Sequence, residues 1–242
     1  MDHIINKTVV ITGASRGIGE AAARHFASAG AHVVLAARSE TRINEIAKDI
    51  RESGGAATAV RCDVSQAADV ARVIGTAIET TGSLDVLINN AGLIEPIARL
   101  ADSEPDAWRQ VVDTNLKGVY HGLRYAIPEM VRAGGGTLIN ISSGAATSAL
   151  EGWSHYCATK AAVLSLTRVA HKEYGEKGVR VVGLSPGTVA TYMQVAIKAS
   201  GINPVSQLDP DAHIPPAWVA QALMWLCSAE ADPYLGTDFS IK

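Results

Sequence analysis

The fold of this chain is decided by the stretch Thr12-Gly13-Ala14-Ser15-Arg16-Gly17-Ile18-Gly19, which joins the β-branched run Thr8–Thr12 to the alanine-rich helical pattern Ile18–Ala29. Glycines at these places allow a tight turn and a close approach of the backbone to a phosphate. The helix that follows offers free N–H groups and the positive end of its dipole. The spacing G-x3-G-x-G is a variant of the dinucleotide-binding fingerprint. It predicts a pyrophosphate site whose contacts are Gly13, Ser15, Arg16, Gly17, Ile18 and Gly19.

The alternation of short apolar runs with longer helical patterns continues along the whole chain. Strands are predicted at Thr8–Thr12, His32–Ala37, Ala57–Cys62, Asp85–Ile88, Thr137–Ile141, Arg180–Leu184 and Asp238–Ile241. Helices are predicted at Ile18–Ala29, Ser39–Glu52, Ala67–Thr80, Ala107–Ala133, Ser154–Tyr174 and Pro216–Ser228. Strict alternation predicts a single α/β domain over residues 1–242, of the doubly wound Rossmann type, with a mostly parallel seven-stranded sheet. An irregular stretch at about residues 188–215 is predicted to be a loop over the substrate.

Composition excludes several classes of function. The 242 residues carry a formal net charge of −3, which argues against nucleic acid or an anionic membrane as the main partner. The three cysteines form no CxxC pair and the seven histidines show no ligand spacing, so we predict no metal. No apolar run approaches the ~20 residues that span a bilayer. Because the first strand begins near Lys7, we expect no signal peptide and a cytoplasmic location.

The end of the second strand bears on the choice between NAD and NADP. An acid about 20 residues after the glycines would bind a ribose 2′-hydroxyl. The strand instead ends Ala36-Ala37-Arg38-Ser39, without an acid. A guanidinium suits a 2′-phosphate because it is a planar cation with several donors. Arg38, with Arg16 from the glycine turn, therefore predicts that NADP(H) is preferred over NAD(H).

Five further segments, each near the end of a predicted strand or on a crossover helix, complete a family pattern. They are Asn89-Asn90-Ala91-Gly92, Asn115 within Asp113–Gly118, Ser142-Ser143, Tyr156-Cys157-Ala158-Thr159-Lys160 and Pro186-Gly187. On these motifs, taken in this order with the glycine turn, the chain resembles the short-chain dehydrogenase/reductase family over nearly its whole length. The resemblance implies hydride transfer between a nicotinamide cofactor and a carbonyl or alcohol carbon.

The chemistry of carbonyl reduction explains the residue types in these motifs. A proton must reach the oxygen as hydride reaches the carbon. Lys160 lies one helical turn after Tyr156, and its charge, with that of the oxidised nicotinamide, should lower the pKa of the phenol. Ser143 precedes Tyr156 by 13 residues, which matches the family's catalytic serine and favours it over Ser142. By the same resemblance, Lys160 also binds the nicotinamide ribose, and Asn115 kinks its helix and holds a water molecule.

The resemblance also implies the remaining contacts. Asp63 and Val64 resemble the family's adenine contact, and Thr191 the residue that holds the carboxamide. Further cofactor contacts are expected at Asn90, Ala91, Gly92, Pro186, Gly187 and Val189. Candidates for the substrate wall are Ile94, Glu95, Ala145, Leu150, Trp153 and Tyr192.

These residues favour a carbonyl reductase or alcohol dehydrogenase acting on a small carbonyl or alcohol substrate. Ketoacyl-carrier-protein reductases, sugar alcohol dehydrogenases and reductases of simple ketones all fit the pattern. Two other readings stay open: epimerisation or dehydration on the same scaffold, and a nicotinamide-sensing protein without turnover. Apolar residues on more than one face of Ala107–Ala133 and Ser154–Tyr174 predict a homotetramer, or failing that a dimer.

Overall fold

Seven strands lie side by side in one sheet in the computed structural model of the chain, which describes residues 2–241. The strands are β1 Thr8–Thr12, β2 His32–Ala37, β3 Ala56–Arg61, β4 Val86–Asn89, β5 Gly136–Ile141, β6 Val179–Ser185 and β7 Asp238–Ser240. Their order is β3-β2-β1-β4-β5-β6-β7, and every neighbouring pair is parallel. The predicted Rossmann-type α/β fold is therefore confirmed, with a sheet that is wholly parallel.

Helices cover both faces of the sheet, which is why β1, β2, β4, β5 and β6 are buried at almost every position. They are α1 Gly17–Ser28, α2 Glu40–Glu52, α3 Ala67–Thr81, α4 Pro105–Val112, α5 Gly118–Arg132, α6 Ser154–Tyr174, α7 Tyr192–Ser200 and α8 Pro216–Leu226. Successive strand residues point to opposite faces. Val9 and Ile11 accordingly pack in the core with α1, α2 and α8, whereas Val10 packs in the core with α3, α5 and α6.

The chain order reverses between β1 and β4, because β2 and β3 lie on one side of β1 and β4 to β7 on the other. In an open α/β sheet, this switch point leaves a crevice at the carboxyl ends of the strands, where ligands bind. The glycine turn follows β1 and Asn90 follows β4, so both reach this crevice.

Two predicted segments differ in the structure. The helix expected at Ala107–Ala133 is divided into α4 and α5 by a π-helical turn over Asp113–Lys117. A pattern of apolar residues does not reveal such a turn, because the residues on each side are equally compatible with one helix. The stretch expected to be irregular contains α7 and two short 3₁₀ helices, Pro204–Gln207 and Pro210–Ala212. Other predicted boundaries lie within two residues of the observed ones.

Candidate active site

A cavity of about 810 Å³ opens at the carboxyl ends of the strands, around the switch point. Its volume lies within the ~300–1,000 Å³ that is usual for ligand sites. One end is formed by the glycine turn and the residues that follow β2 and β3, and the other by the residues after β5 and by α7. The cavity thus spans the two regions that the sequence assigned to a dinucleotide and to a substrate.

The glycine turn is shaped to accept a phosphate group. Gly13 and Gly17 have φ angles of +66° and +58°, which L side chains rarely adopt. A Cβ atom on Gly13 would lie only 2.8 Å from the Cα atom of Ala91, and one on Gly19 would overlap the Gly13 carbonyl oxygen. No side chain caps the start of α1. The first backbone N–H groups of the helix, at its end nearest the cavity, therefore have no side-chain acceptor. These features fit the diphosphate of a dinucleotide.

Most of the predicted site residues are brought together at this cavity. The lining includes Gly13, Ser15, Arg16, Gly17, Ile18, Arg38, Asp63, Val64, Asn90, Ala91, Gly92, Ile94, Glu95, Ser143, Ala145, Leu150, Trp153, Tyr156, Lys160, Pro186, Gly187, Val189, Thr191 and Tyr192. Gly19 and Asn115 lie behind it. Gly19 is buried where the first turn of α1 packs against Gly13. Its role is therefore to allow this close packing and not to line the cavity.

Three polar side chains meet in the wall between the two ends of the cavity. Tyr156 and Lys160 come from the first turns of α6, and Ser143 follows β5. The Ser143 hydroxyl lies close enough to Tyr156 to lower the pKa of the phenol. The Lys160 Nζ atom lies 5.5 Å from the centroid of the Tyr156 ring and donates a 2.6 Å hydrogen bond to the Ile141 carbonyl oxygen. All three groups line the cavity, and the two from α6 lie one helical turn apart.

Burial dominates the electrostatics of these groups. It raises the pKa of Tyr156 to about 12 and lowers the pKa of Lys160 to about 8. Both shifts follow from the cost of placing a charge away from water. Burial thus outweighs the Ser143 hydrogen bond, which lowers the pKa of the phenol. The lowering expected from Lys160 together with the oxidised nicotinamide stays a prediction for the protein with its cofactor bound. At neutral pH the phenol retains its proton.

Asn115 holds the loop after β4 in place. It is 1% exposed within the π-helical turn, and its side-chain amide forms two hydrogen bonds of 2.8 Å with the backbone N–H and carbonyl of Leu93. A π-helical turn bends the helix that contains it, which agrees with the expected kink. The Leu93 contact was not predicted, since nothing in the sequence pairs these two positions.

The cavity end near β2 is rich in arginine. Arg38 is exposed directly after the strand, and Ser39 and Arg42 also line the cavity. Arg42, in the first turn of α2, was missed, although it follows Arg38 by only four residues. It donates a 2.9 Å hydrogen bond to Glu20. Arg16 stacks on the ring of Tyr192, with its Cζ atom 4.8 Å from the ring centroid.

The opposite end of the cavity is apolar. Ile94, Ala145 and Trp153 are buried in a cluster with Tyr156, and the indole meets the phenol edge to face at a centroid distance of 5.6 Å. Sequence reasoning missed the part of this wall that α7 and the following turn contribute, namely Met193, Ala196, Ile197 and Val205. Their apolar spacing would have been a signal had the stretch been read as a helix.

Comparison with known proteins places these features in a family. The family model for short chain dehydrogenases matches residues 7–200. A 2,5-dichloro-2,5-cyclohexadiene-1,4-diol dehydrogenase from Sphingobium indicum is 33% identical over 99% of this chain and 96% of its own length. The 3beta-hydroxysteroid dehydrogenase 1 of Eggerthella lenta is 36% identical over 98% and 92% of the two chains, and a cyclohexanol dehydrogenase of Acinetobacter sp. is 29% identical over 98% and 93%. The chain belongs to the short-chain dehydrogenase family.

Proposed function

We propose that the protein interconverts a secondary alcohol and its ketone by hydride transfer with NADP(H), and that Tyr156 is the acid/base. Membership of the family makes the chain an oxidoreductase that uses a nicotinamide cofactor. The observation that carries the finer proposal is the meeting of Tyr156, Ser143 and Lys160 in the cavity wall, between the glycine turn and an apolar pocket. Neither cofactor binding nor sensing alone requires these three groups to converge.

In the reduction direction, the Tyr156 hydroxyl donates its proton to the carbonyl oxygen of the substrate. A pKa of about 12 keeps that proton on the phenol at neutral pH. The Ser143 hydroxyl donates a hydrogen bond to the same oxygen and orients the carbonyl carbon. The cofactor, when bound, supplies the hydride. In alcohol oxidation the same groups act in reverse, as microscopic reversibility requires.

Lys160 stabilises the phenolate that remains after proton donation. Its ammonium lies 5.5 Å from the Tyr156 ring centroid and is 4% exposed, so little water screens the attraction. The residues that would hold the cofactor are Gly13, Ser15, Arg16, Gly17, Ile18, Arg38, Asp63, Val64, Asn90, Ala91, Gly92, Lys160, Pro186, Gly187, Val189 and Thr191. Asn115 supports them by fixing Leu93.

A compact ring ketone or alcohol is the substrate class that the pocket favours. Its wall is formed by Ile94, Trp153 and Ile197, each at most 5% exposed. Apolar walls stabilise a hydrocarbon ring in proportion to the area that they bury. Two relatives named above, the cyclohexadiene-diol and cyclohexanol dehydrogenases, act on six-membered rings by their names. An acyl thioester is the second candidate, because a 3-oxoacyl-[acyl-carrier-protein] reductase of Staphylococcus aureus is 35% identical over 80% of this chain.

A cofactor-absorbance screen tests this function. The purified protein would be mixed with NADPH and, in turn, cyclohexanones, linear ketones, aldehydes, diketones and ketoacyl thioesters. We expect the highest kcat/KM with a ring ketone. A highest value with a thioester would transfer the assignment to the acyl class. An epimerase or dehydratase would convert its substrate without net loss of NADPH, and a sensor would bind NADPH and convert nothing.

NADP(H) is expected to be preferred over NAD(H) by roughly 10- to 100-fold in kcat/KM. Arg38 offers a guanidinium at the place where NAD enzymes have an acid, and a charge-assisted hydrogen bond contributes roughly 1.5–3 kcal/mol. Each 1.4 kcal/mol is about tenfold. Because Arg38 is exposed to solvent, we expect a preference near tenfold, and we expect it to weaken at high salt.

The measurement is kcat/KM for both cofactors with one substrate, in the wild type and in Ala37→Asp combined with Arg38→Ala. The double variant should prefer NAD, because its new carboxylate accepts a bond from a 2′-hydroxyl and repels a 2′-phosphate. Lys48→Glu, at an exposed position of α2, serves as the control because it also changes the net charge by −2. A wild type that prefers NAD contradicts the role of Arg38. A double variant that still prefers NADP would assign the preference to Arg16, Ser39 or Arg42.

A homotetramer is the expected assembly, with a dimer as the alternative. Tyr120 on α5 and Val169 on α6 are 50% and 47% exposed, and Trp218 on α8 is 56% exposed. Large apolar side chains left at a surface are typical of helices that pack against another subunit. Light scattering at micromolar concentration should give a multiple of the 25.3 kDa chain mass. A particle of one chain mass would contradict the prediction.

A further inference from the structure

Asp238 is a half-buried acid that the proposed mechanism does not use. Strand register places Asn140 of β5, Gly183 of β6 and Asp238 of β7 in one row across the sheet. Residues in one row point to the same face, and so does Ser142, two residues after Asn140. This face is the one that α6 covers, because Asn140 donates a 2.9 Å hydrogen bond to Thr167 of α6.

The carboxylate of Asp238 reaches across β6 through the gap that Gly183 leaves. A Cβ atom on Gly183 would overlap the Asp238 Oδ1 atom, so no other residue at 183 would leave room for it. On the far side of the gap, the Ser142 hydroxyl donates a 2.5 Å hydrogen bond to Asp238 Oδ2. The Oδ1 atom is buried and has no partner among the described residues. A buried carboxylate oxygen without a hydrogen bond is costly unless a positive charge lies near it.

Lys160 is the cation that we assign to this role. Its Nζ atom donates to the carbonyl of Ile141, the residue directly before Ser142, so the ammonium and the carboxylate approach the end of β5 together. The charge of each group favours the charged form of the other. Asp238 raises the pKa of Lys160, although burial lowers it by more. Lys160 lowers the pKa of Asp238, although burial raises it by more.

The other charged and titratable groups that face Asp238 also come from α6. Arg168 lowers the pKa of Asp238 as well, although burial and the Ser142 hydrogen bond have larger effects. The His171 ring lies against Gly236, two residues before Asp238. Lys160 is the one of these groups that also reaches Tyr156, through its position 5.5 Å from the ring centroid.

We propose that Asp238 is a positioning residue of the dehydrogenase site: its carboxylate holds the Ser142 hydroxyl and is the counter-charge to the Lys160 ammonium beside Tyr156. The inference rests on the proposed roles of Tyr156 and Lys160. It adds an acid from the last strand to a site otherwise built from the residues after β1 to β6. Because the acid acts through Lys160, its removal should matter most where Lys160 is close to losing its proton.

The first test measures Tm of the cofactor-free protein, so it does not depend on turnover. Lys160 is charged below its pKa of about 8 and loses its charge as the pH rises through that value. Asp238→Asn should therefore lower Tm by about 2–4 °C near pH 7 and by less than half as much near pH 9.5. In a Lys160→Met background, the effect of Asp238→Asn should be the same at both pH values. Asp232→Asn, an exposed acid nearby, is the matched control and should show no pH dependence.

The second test measures kcat for ketone reduction across the same pH range. Without the counter-charge, the pKa of Lys160 falls, and each unit is about a tenfold change in the charged fraction above that pKa. Asp238→Asn should thus be within about threefold of the wild type near pH 6 and about tenfold slower near pH 9. A ratio that stays constant with pH, or a Tm difference that keeps its pH dependence without Lys160, would overturn the proposal. An active Tyr156→Phe enzyme would instead overturn the proposed function and leave the Tm result standing.

Discussion

Tyr156→Phe is expected to lower kcat by about 10²- to 10⁴-fold, the usual contribution of a positioned acid or base. The substitution removes the hydroxyl that we propose as the proton donor and keeps the ring, which packs against Trp153 at a centroid distance of 5.6 Å. NADPH binding should stay close to normal, because the proposed cofactor contacts lie mainly in the glycine turn, the loops after the strands and Lys160.

The measurement combines single-turnover kinetics with the fluorescence of bound NADPH. Tyr174→Phe, at the opposite end of the same helix, is the control for loss of a tyrosine hydroxyl and should keep full activity. A Tyr156→Phe enzyme that retains more than about a tenth of the wild-type rate would show that another group donates the proton.

Ser143→Ala should lower kcat by about 10²- to 10³-fold, as the removal of one preorganised donor to a reacting oxygen does. Ser142→Ala should cost much less, because the Ser142 hydroxyl already donates a 2.5 Å hydrogen bond to Asp238, and Ser143 is the serine that lowers the pKa of Tyr156. The two adjacent serines are thus matched controls for each other, and steady-state kinetics of both variants would separate them. Equal losses, or a larger loss for Ser142→Ala, would contradict the assignment of Ser143.

Much of the fold could be predicted from the sequence because the α/β alternation is regular. β1 and β2 begin and end where their apolar runs do, and α6 has its predicted bounds, Ser154–Tyr174. Both faces of these strands are covered, so each contains an unbroken run of apolar residues. The π-helical turn at Asp113–Lys117 could not be predicted in the same way, because it depends on a hydrogen bond between Asn115 and Leu93 across the crevice.

The site residues that belong to motifs were predicted, whereas those that line the cavity only because of the tertiary fold were missed. Ser143 and Tyr156 were identified from spacing, and the structure brings them together. The apolar wall from α7 was not foreseen, because two prolines and two glycines between residues 187 and 210 obscured the helix Tyr192–Ser200. The shifted pKa of Tyr156 was also beyond the sequence, since burial depends on the packing of elements that are distant along the chain.

The central claim is that the chain transfers hydride between NADPH and a ketone. The most direct measurement uses NADPH with deuterium at both C4 positions of the nicotinamide, together with the ketone that the absorbance screen selects. Mass spectrometry and NMR of the product would then locate the label. The account predicts one deuterium on the carbinol carbon for each NADPH consumed, and labelled product that forms about 10²- to 10⁴-fold more slowly with Tyr156→Phe. Product that forms without label, or bound NADPH that stays unchanged while the substrate is converted, would contradict it.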